Sequence, residues 1–330
     1  MAGLRRFRAP LSTATRFVLF LGVAALLASP AIAQRVRQIT RFDVTHLGNH
    51  AVDDLGSVAF FTSDIDPYGT NPQGLIQVFK KTLPGGSLVQ VTALEDDAYD
   101  ISVSDDGGTI AFVSAADPLG ANPDGSAEVF LADGDGGSMV QLTNHPAGGN
   151  AGNAVLAGGA GKVLFSSTGD LTGSNPSGHL QLFVIGTDGT GLLQLTSATG
   201  ASVFDEIAIN DLGIGVAFTD SGDLTGGNPD GSTELYRMMA DGTGLTQVTS
   251  TTDDDVRSMS YAGKGTMLAY ATNGGELYSV PWGSTTATVR DDLAAYPSLN
   301  DNATAIYYVC GGHQPGDPRR RQQHRVRGVR

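Results

Sequence analysis

The chain has a single cysteine, Cys310, which excludes an internal disulfide. A chain of 330 residues buries enough apolar surface to fold without one. Basic residues are scarce away from the ends: residues 34–318 hold ten Lys and Arg against 34 Asp and Glu. That balance repels nucleic acid and anionic lipid, and it favours cations or a basic protein partner. Helical periodicity is missing after residue 33, and no later apolar run is long enough to span a membrane. Catalytic patterns are missing too. No His stands at metal-ligand spacing from another His or Cys, and no Ser falls in a G-x-S-x-G frame or pairs with His and Asp in sequence. The four His before the tail, His46, His50, His145 and His179, read as solvated loop residues.

What is present begins with a leader. Arg5, Arg6, Arg8 and Arg16 precede the apolar run Phe17–Ala28, and Ala31-Ile32-Ala33 is a small-x-small cleavage site before Gln34. Residues 1–33 are therefore expected to be a signal peptide. The mature chain is expected to be exported, periplasmic or secreted, not membrane-spanning, and monomeric. The residue directly after Ala33 is Gln34, not Cys, so a lipid anchor is not expected.

The rest repeats. Asn-Pro pairs begin at Asn71, Asn122, Asn175 and Asn228, spaced 51, 53 and 53 residues apart. Gln-x-Thr endings follow at Gln90, Gln141, Gln194 and Gln247, and a fifth occurs at Gln38-Ile39-Thr40. Self-similarity at this period marks a repeat architecture. In residues 99–143, alternating Tyr99–Val103, the turn Asp105-Asp106-Gly107-Gly108 and apolar Ile110–Val113 read as strands A and B. A long loop, Ala115–Ser126, separates them from Glu128–Ala132 and Met139–Thr143, strands C and D. A four-stranded meander that cannot bury both of its faces needs neighbours on both sides, and radial stacking supplies them.

The expected fold is an all-β, six-bladed β-propeller over 34–312 with four-stranded antiparallel blades. Blades span about 41–92, 93–143, 144–196, 197–249 and 250–290, and the fifth lacks the Asn-Pro loop. A sixth begins at Tyr296, with Pro297–Leu299 and Ala305–Val309 as strands A and B and no clear strand C. Val36–Thr40 is expected to close this incomplete blade. The Arg-rich stretch 313–330 breaks the pattern and is expected to be a disordered basic tail.

The motif D-x-x-G-x-N-P-D-G-x-x-E-[LVF]-[FY], followed by D-G-x-G-x-x-Q-[LV]-T, is best seen in Asp117–Thr143 and Asp223–Thr249. It resembles the WD40-like, or PD40, repeats of the TolB-type β-propeller family over about residues 35–310. The resemblance implies a six-bladed propeller. The α/β domain of TolB and the hydrolase domain of the propeller peptidases have no counterpart in this sequence.

In such a meander, B–C loops and D–A connections share one face, and this face collects most of the acids. Asp96, Asp97, Asp205, Glu206, Asp253, Asp254 and Asp255 are the expected partner-binding residues there. The leading expectation is a non-enzymatic scaffold that needs no cofactor and holds a protein, possibly basic, on this face. The alternative is a metal-dependent hydrolase or lactonase-type propeller. Asp66, Asn71, Asp117, Asn122, Asp170, Asn175, Asp223 and Asn228 recur in the B–C loops. They read either as residues that cap their own turns or as oxygen ligands of Ca²⁺.

Overall fold

The computed structural model describes residues 20–21, 37–38, 47–146, 148–200, 202–252, 254–291, 294–310 and 325–329. Six antiparallel sheets follow one another along the chain. Strands A to D of blade one are Leu47–Val52, Val58–Ser63, Gln77–Thr82 and Leu88–Gln90. Blade two has Ala98–Val103, Thr109–Ser114, Glu128–Asp133 and Met139–Gln141. Blade three has Ala151–Leu156, Lys162–Ser167, Gln181–Gly186 and Leu193–Gln194. Blade four has Ile207–Ile209, Gly215–Asp220, Glu234–Met239 and Thr246–Gln247. Blade five has Val256–Tyr261, Met267–Thr272, Leu277–Pro281 and Thr288–Asp291. Blade six has three strands, Ala294–Leu299, Ile306–Cys310 and Arg325–Val329. The molecule is a six-bladed β-propeller.

The second strands show why the blades stack. Thr-Ile-Ala-Phe-Val-Ser in blade two is apolar at successive positions, and both of its faces are buried. A strand covered on both sides needs no polar alternation. Its residues contribute to two cores. Phe112 packs with Phe60 and Val78 of blade one, while Ala111 and Val113 pack with Leu156, Val163 and Phe165 of blade three. The cores thus lie between blades, as a stacked repeat requires. Strands B and C also carry facing aromatic pairs. Phe61–Phe79, Phe112–Phe130, Phe165–Phe183, Phe218–Tyr236 and Tyr270–Tyr278 stack at 5.7, 5.6, 5.6, 5.5 and 5.0 Å. Trp282 is stacked on Tyr261 at 4.7 Å and covered by Arg237 of blade four.

The two faces separate as the meander demands. B–C loops meet D–A connections, as where Gln77 Nε2 donates to the Leu94 carbonyl at 3.1 Å. A–B turns meet C–D turns, as where Gly134 N donates to the Gly108 carbonyl at 2.8 Å.

Two expectations change. Blade six does have a third strand, and the Arg-rich tail supplies it. Val326 lies opposite Val309 and Val329 opposite Ile306, so the few apolar residues of the tail fall in register with those of the strand beside them. The free edge of Ile306–Cys310 selects that segment despite its charge. Arg37–Gln38 pairs with Leu21 and Phe20 in the full chain, while Val36, Ile39 and Thr40 lie outside the described residues, as do Asp253 and 311–324.

Phe130 and its partner Phe112 are both fully buried. Replacing Phe130 with Ala should cost about 3–5 kcal/mol, read as a shift of the denaturant midpoint. A shift no larger than that of an exposed control such as Val140→Ala would remove the aromatic pairs from the stabilising core.

Candidate functional site

The Asn-Pro loops close on themselves. Asp66, Asp117, Asp170 and Asp223 each accept, through Oδ1, the backbone N–H of Asn71, Asn122, Asn175 and Asn228, at 2.9, 2.8, 2.7 and 3.0 Å. Each Asn is buried and turns its amide nitrogen to the carbonyl four residues on, at 2.7, 2.8, 2.8 and 2.8 Å. Gly74, Gly125, Gly178 and Gly231 follow with φ of 66°, 68°, 65° and 73°, which a side chain would strain. The eight loop residues are thus brought together in pairs, each carboxylate capping the turn of its own loop. Among the described residues, no three His, Cys, Asp or Glu side chains are grouped to hold a metal ion.

The repeated Gln or Glu that opens strand C has a different role. It reaches back across its own blade to the Gln-x-Thr ending. Thr92 and Thr196 donate to Gln77 and Gln181 at 2.8 Å, and Thr143 and Thr249 donate to Glu128 and Glu234. The backbone N–H seventeen residues after each also donates to it, from Leu94, His145, Ala198 and Thr251. Gln and Glu are not equivalent here. Gln has an N–H to place, and Gln77 and Gln181 give it to the carbonyls of Leu94 and Ala198. Glu is acceptor-only and needs one more donor. Ser126 and Ser232, two residues earlier, supply it at 2.8 and 3.1 Å, where the Gln blades have Leu75 and His179.

One of these networks crosses to the next blade. His145 Nδ1 lies 2.7 Å from Glu128, and its Nε2 lies 2.6 Å from Ser167 Oγ in blade three. Sequence reading left His145 as a solvated loop residue; it is 3% exposed, and Glu128 and Ser167 are 0% exposed. The order Ser–His–carboxylate has the geometry of an activated nucleophile. Its setting removes that use. Ser167 Oγ also accepts the N–H of Gly169 at 2.8 Å, and a methyl group added at Gly169 would meet the imidazole at 2.5 Å. No substrate reaches this serine. Burial opposes the charge of Glu128, yet its donors outweigh that and hold its pKa below the usual range. The three residues bolt blade two to blade three. The recurring position seventeen residues after the strand-C head was the available signal, because only this copy places a titratable side chain there.

The axis is lined by the A strands, which touch one another in order. Each has strand B on one edge and none on the other. The neighbouring blade serves the open edge. Asp100 accepts from Asn153 N at 2.8 Å, Glu206 from Met259 N at 2.5 Å and Ser258 from Tyr296 N at 3.1 Å. A bulge interrupts strand A in blades one, two, three, five and six, and Asp100, Asn153 and Tyr296 sit there at φ near 50°. Arg257 is exposed, stacks over Tyr296 at 5.1 Å and forms no ion pair among the described residues.

The expected partner-binding acids split into two kinds. Asp97 and Asp255 cap the backbone N–H ahead of strand C, at Ile76 and Thr233, and Glu206 serves its neighbour. Asp96 and Asp205 are exposed, and Asp254 accepts from Gly274 N at 2.7 Å.

At the opposite end, the A–B turns form a hoop that sequence reading missed. Asp54 N donates to Asp105 O, Asp105 N to Gly158 O, Gly159 N to Asp211 O, Asp211 N to Gly263 O and Lys264 N to Asp301 O. Gly158 and Gly263 lie beneath the carboxylates of Asp105 and Asp211, where an added methyl group would meet an oxygen at 2.1 and 2.5 Å. Asp54 is hydrogen-bonded to Asp301, which joins the last turn to the first. Partial burial and the other acids of the hoop raise Asp54 to about 7 and Asp211 to about 6, and Asp105 is raised for the same reasons.

Two outcomes are expected. The unfolded carboxyls titrate near 3.8, so the folded state holds more protons than the unfolded state from there to the raised values. Stability should therefore fall as pH rises from about 4 to about 7 and then level off. Asp301→Asn removes one of the charges that raise these acids while their burial stays, so it should make the fall in melting temperature over that range shallower; an unchanged slope would clear the Asp301 charge of any part in it. Separately, buried Gln141 Oε1 lacks a donor, whereas Gln90, Gln194 and Gln247 receive one from Thr70, Thr172 and Thr225. Leu119 and Ala121 occupy the corresponding loop positions in blade two. Ala121→Thr should stabilise by about 0.5–1.5 kcal/mol in denaturant titration; destabilisation would contradict this account.

No family model matches the chain, and no curated protein sequence does. Solved structures do. A putative TolB from Agrobacterium tumefaciens matches with a TM-score of 0.54 at 12% identity, covering 77% of this chain and 83% of that one. An oligogalacturonate lyase in complex with manganese matches at 0.55 and 14%, covering 81% and 71%. The oligogalacturonate lyase of Vibrio parahaemolyticus matches at 0.54 and 9%, covering 79% and 73%. At these identities the likeness is one of fold: the chain is similar to TolB and to oligogalacturonate lyase as a β-propeller.

Proposed function

We propose that this chain is an exported, non-enzymatic propeller that holds a basic protein partner on its long-loop face. The observation that carries the reading is the balance of charge on that face. Asp96, Asp205 and Asp254 stand there beside Asp97, Asp255 and the loop acids, with exposed Arg257 as a cation among them. Several of these carboxylates cap backbone N–H groups, but capping leaves the charge in place. The field of the whole face is therefore negative and fixed by the fold, which steers a basic partner and sets its orientation. The TolB-like fold supports a binding role, and among the described residues no helix is long and apolar enough to cross a membrane. The Asp-to-Asn triple variant at 96, 205 and 254 keeps the oxygen acceptors and removes three charges. Pull-down from an envelope or secreted fraction should recover a partner with the parent and lose it with the variant, more sharply at low salt. Equal recovery by both would exclude this face.

The second reading is a metal-dependent enzyme of hydrolase or lactonase type. The fold likeness to oligogalacturonate lyase favours it. Asp100, Asp205 and Glu206 are the acids the inner strands offer. Stoichiometric metal in the purified protein, together with turnover in a lactone and phosphoester screen, would replace the first reading with this one.

A further inference from the structure

At the long-loop end of the axis stands an arginine that forms no ion pair among the described residues. Arg257 is exposed and is the second residue of strand A in blade five. Each D–A connection leads into a strand A, so the first residues of these strands lie at the long-loop face. Acids stand close by, but they are engaged. Asp255, two residues earlier, accepts from Thr233 N at 2.7 Å and from Asn273 Nδ2 at 3.2 Å. Glu206, in blade four, accepts from Met259 N at 2.5 Å. The guanidinium turns to blade six instead. Its central carbon lies 5.1 Å from the centre of the Tyr296 ring, and Nη2 donates to the Tyr296 hydroxyl at 3.2 Å.

This pair is built on fixed backbone. Tyr296 N donates to the hydroxyl of Ser258, the residue after Arg257, at 3.1 Å, and Leu299 N donates to Ser260 at 2.9 Å. A guanidinium laid on an aromatic ring is oriented before anything binds. It has five N–H donors in a planar fork, and the bond to Tyr296 uses one of them. The fork matches a carboxylate, which it holds through two parallel hydrogen bonds. The other side of the axis offers the opposite chemistry. Blade two stands three places round the ring from blade five, and its strand A carries exposed Tyr99 as second residue. The Tyr99 hydroxyl donates to Asp97 Oδ2 at 3.0 Å, and Asp96 is exposed beside it. An aromatic face with two carboxylates receives a cation and its apolar stem.

The mouth of the axis therefore has a place for one carboxylate, set against places for cations. A polypeptide that ends in basic residues carries both, with its terminal carboxylate beside its last basic side chains. We propose that Arg257, stacked on Tyr296, receives the C-terminal carboxylate of the basic partner, while the partner's last basic side chains lie against Tyr99, Asp96 and Asp97. The proposal rests on the reading of the long-loop face given above and adds which end of the partner is held.

Charge itself supplies the test. N-acetylated tetralysine with a free carboxyl terminus and the same peptide as its C-terminal amide differ by one charge. A negative field alone binds the amide more tightly, because the amide is the more positive of the two. Capture of the carboxylate by Arg257 reverses that order. Titration calorimetry of the full chain in low salt should find the acid bound about ten-fold more tightly than the amide. The Arg257→Gln variant should bind the amide at least as tightly as the acid, and Asp96→Asn should weaken both peptides while keeping their order. Equal or tighter binding of the amide by the parent chain would overturn the anchor and leave the acidic face standing. Binding of neither peptide would overturn both. An order unchanged in Arg257→Gln would remove Arg257 from the site, and displacement of the acid by acetate at the peptide's own concentration would remove the chain terminus as its ligand.

Discussion

Every inner strand of this ring has one edge with no strand beside it, and the architecture depends on how that edge is satisfied. A backbone N–H turned away from water without a partner costs about as much as a lost hydrogen bond. Here the preceding blade supplies the partner. Asp100, Ser102, Glu206, Ser258 and Ser260 accept from the backbone of the blade that follows, and the A–B turns add a hoop of backbone bonds below them. The polarity of the axis is therefore structural in the first place. Asp100 and Glu206, acids close to the axis, each accept from the backbone of a neighbour. Asp96 and Asp205 are exposed and take no part in these contacts along the axis.

The fold was legible because its signals are local and repeated. The turn Asp105–Gly108, the apolar run Ile110–Val113 and the Gln-x-Thr ending each report on a few adjacent residues, and four copies agree. What stayed hidden depends on contacts between blades. His145 carries no local mark of burial; its role exists only because Ser167, in the next blade, comes within hydrogen-bonding distance. Asp54, Asp105, Asp211 and Asp301 occupy the same place in four turns, yet their mutual repulsion appears only when the ring brings the turns together. The third strand of blade six was hidden for the opposite reason. Composition argued against Arg325–Val329, but the waiting edge of Ile306–Cys310 outweighed composition. β-Propensity depends on such context more than helix propensity does.

The paired choice at the head of strand C also bears on how such an array can evolve. In the four blades with an Asn-Pro loop, a Glu travels with a Ser two residues earlier, and a Gln travels without one. The linked residues are so close that a crossover between copies almost never separates them, so the hydrogen bonds of the strand-C head stay together within one blade. Glu128, His145 and Ser167 are different, because they straddle a blade boundary. Strand B ends in Ser63, Ser114, Ser167 and Thr272 in blades one, two, three and five but in Asp220 in blade four, so blade two placed ahead of blade four would bring the imidazole to a carboxylate instead of a hydroxyl. The strand-C heads are thus exchangeable cassettes, while the contacts along the axis and the His145 link depend on which blade comes next.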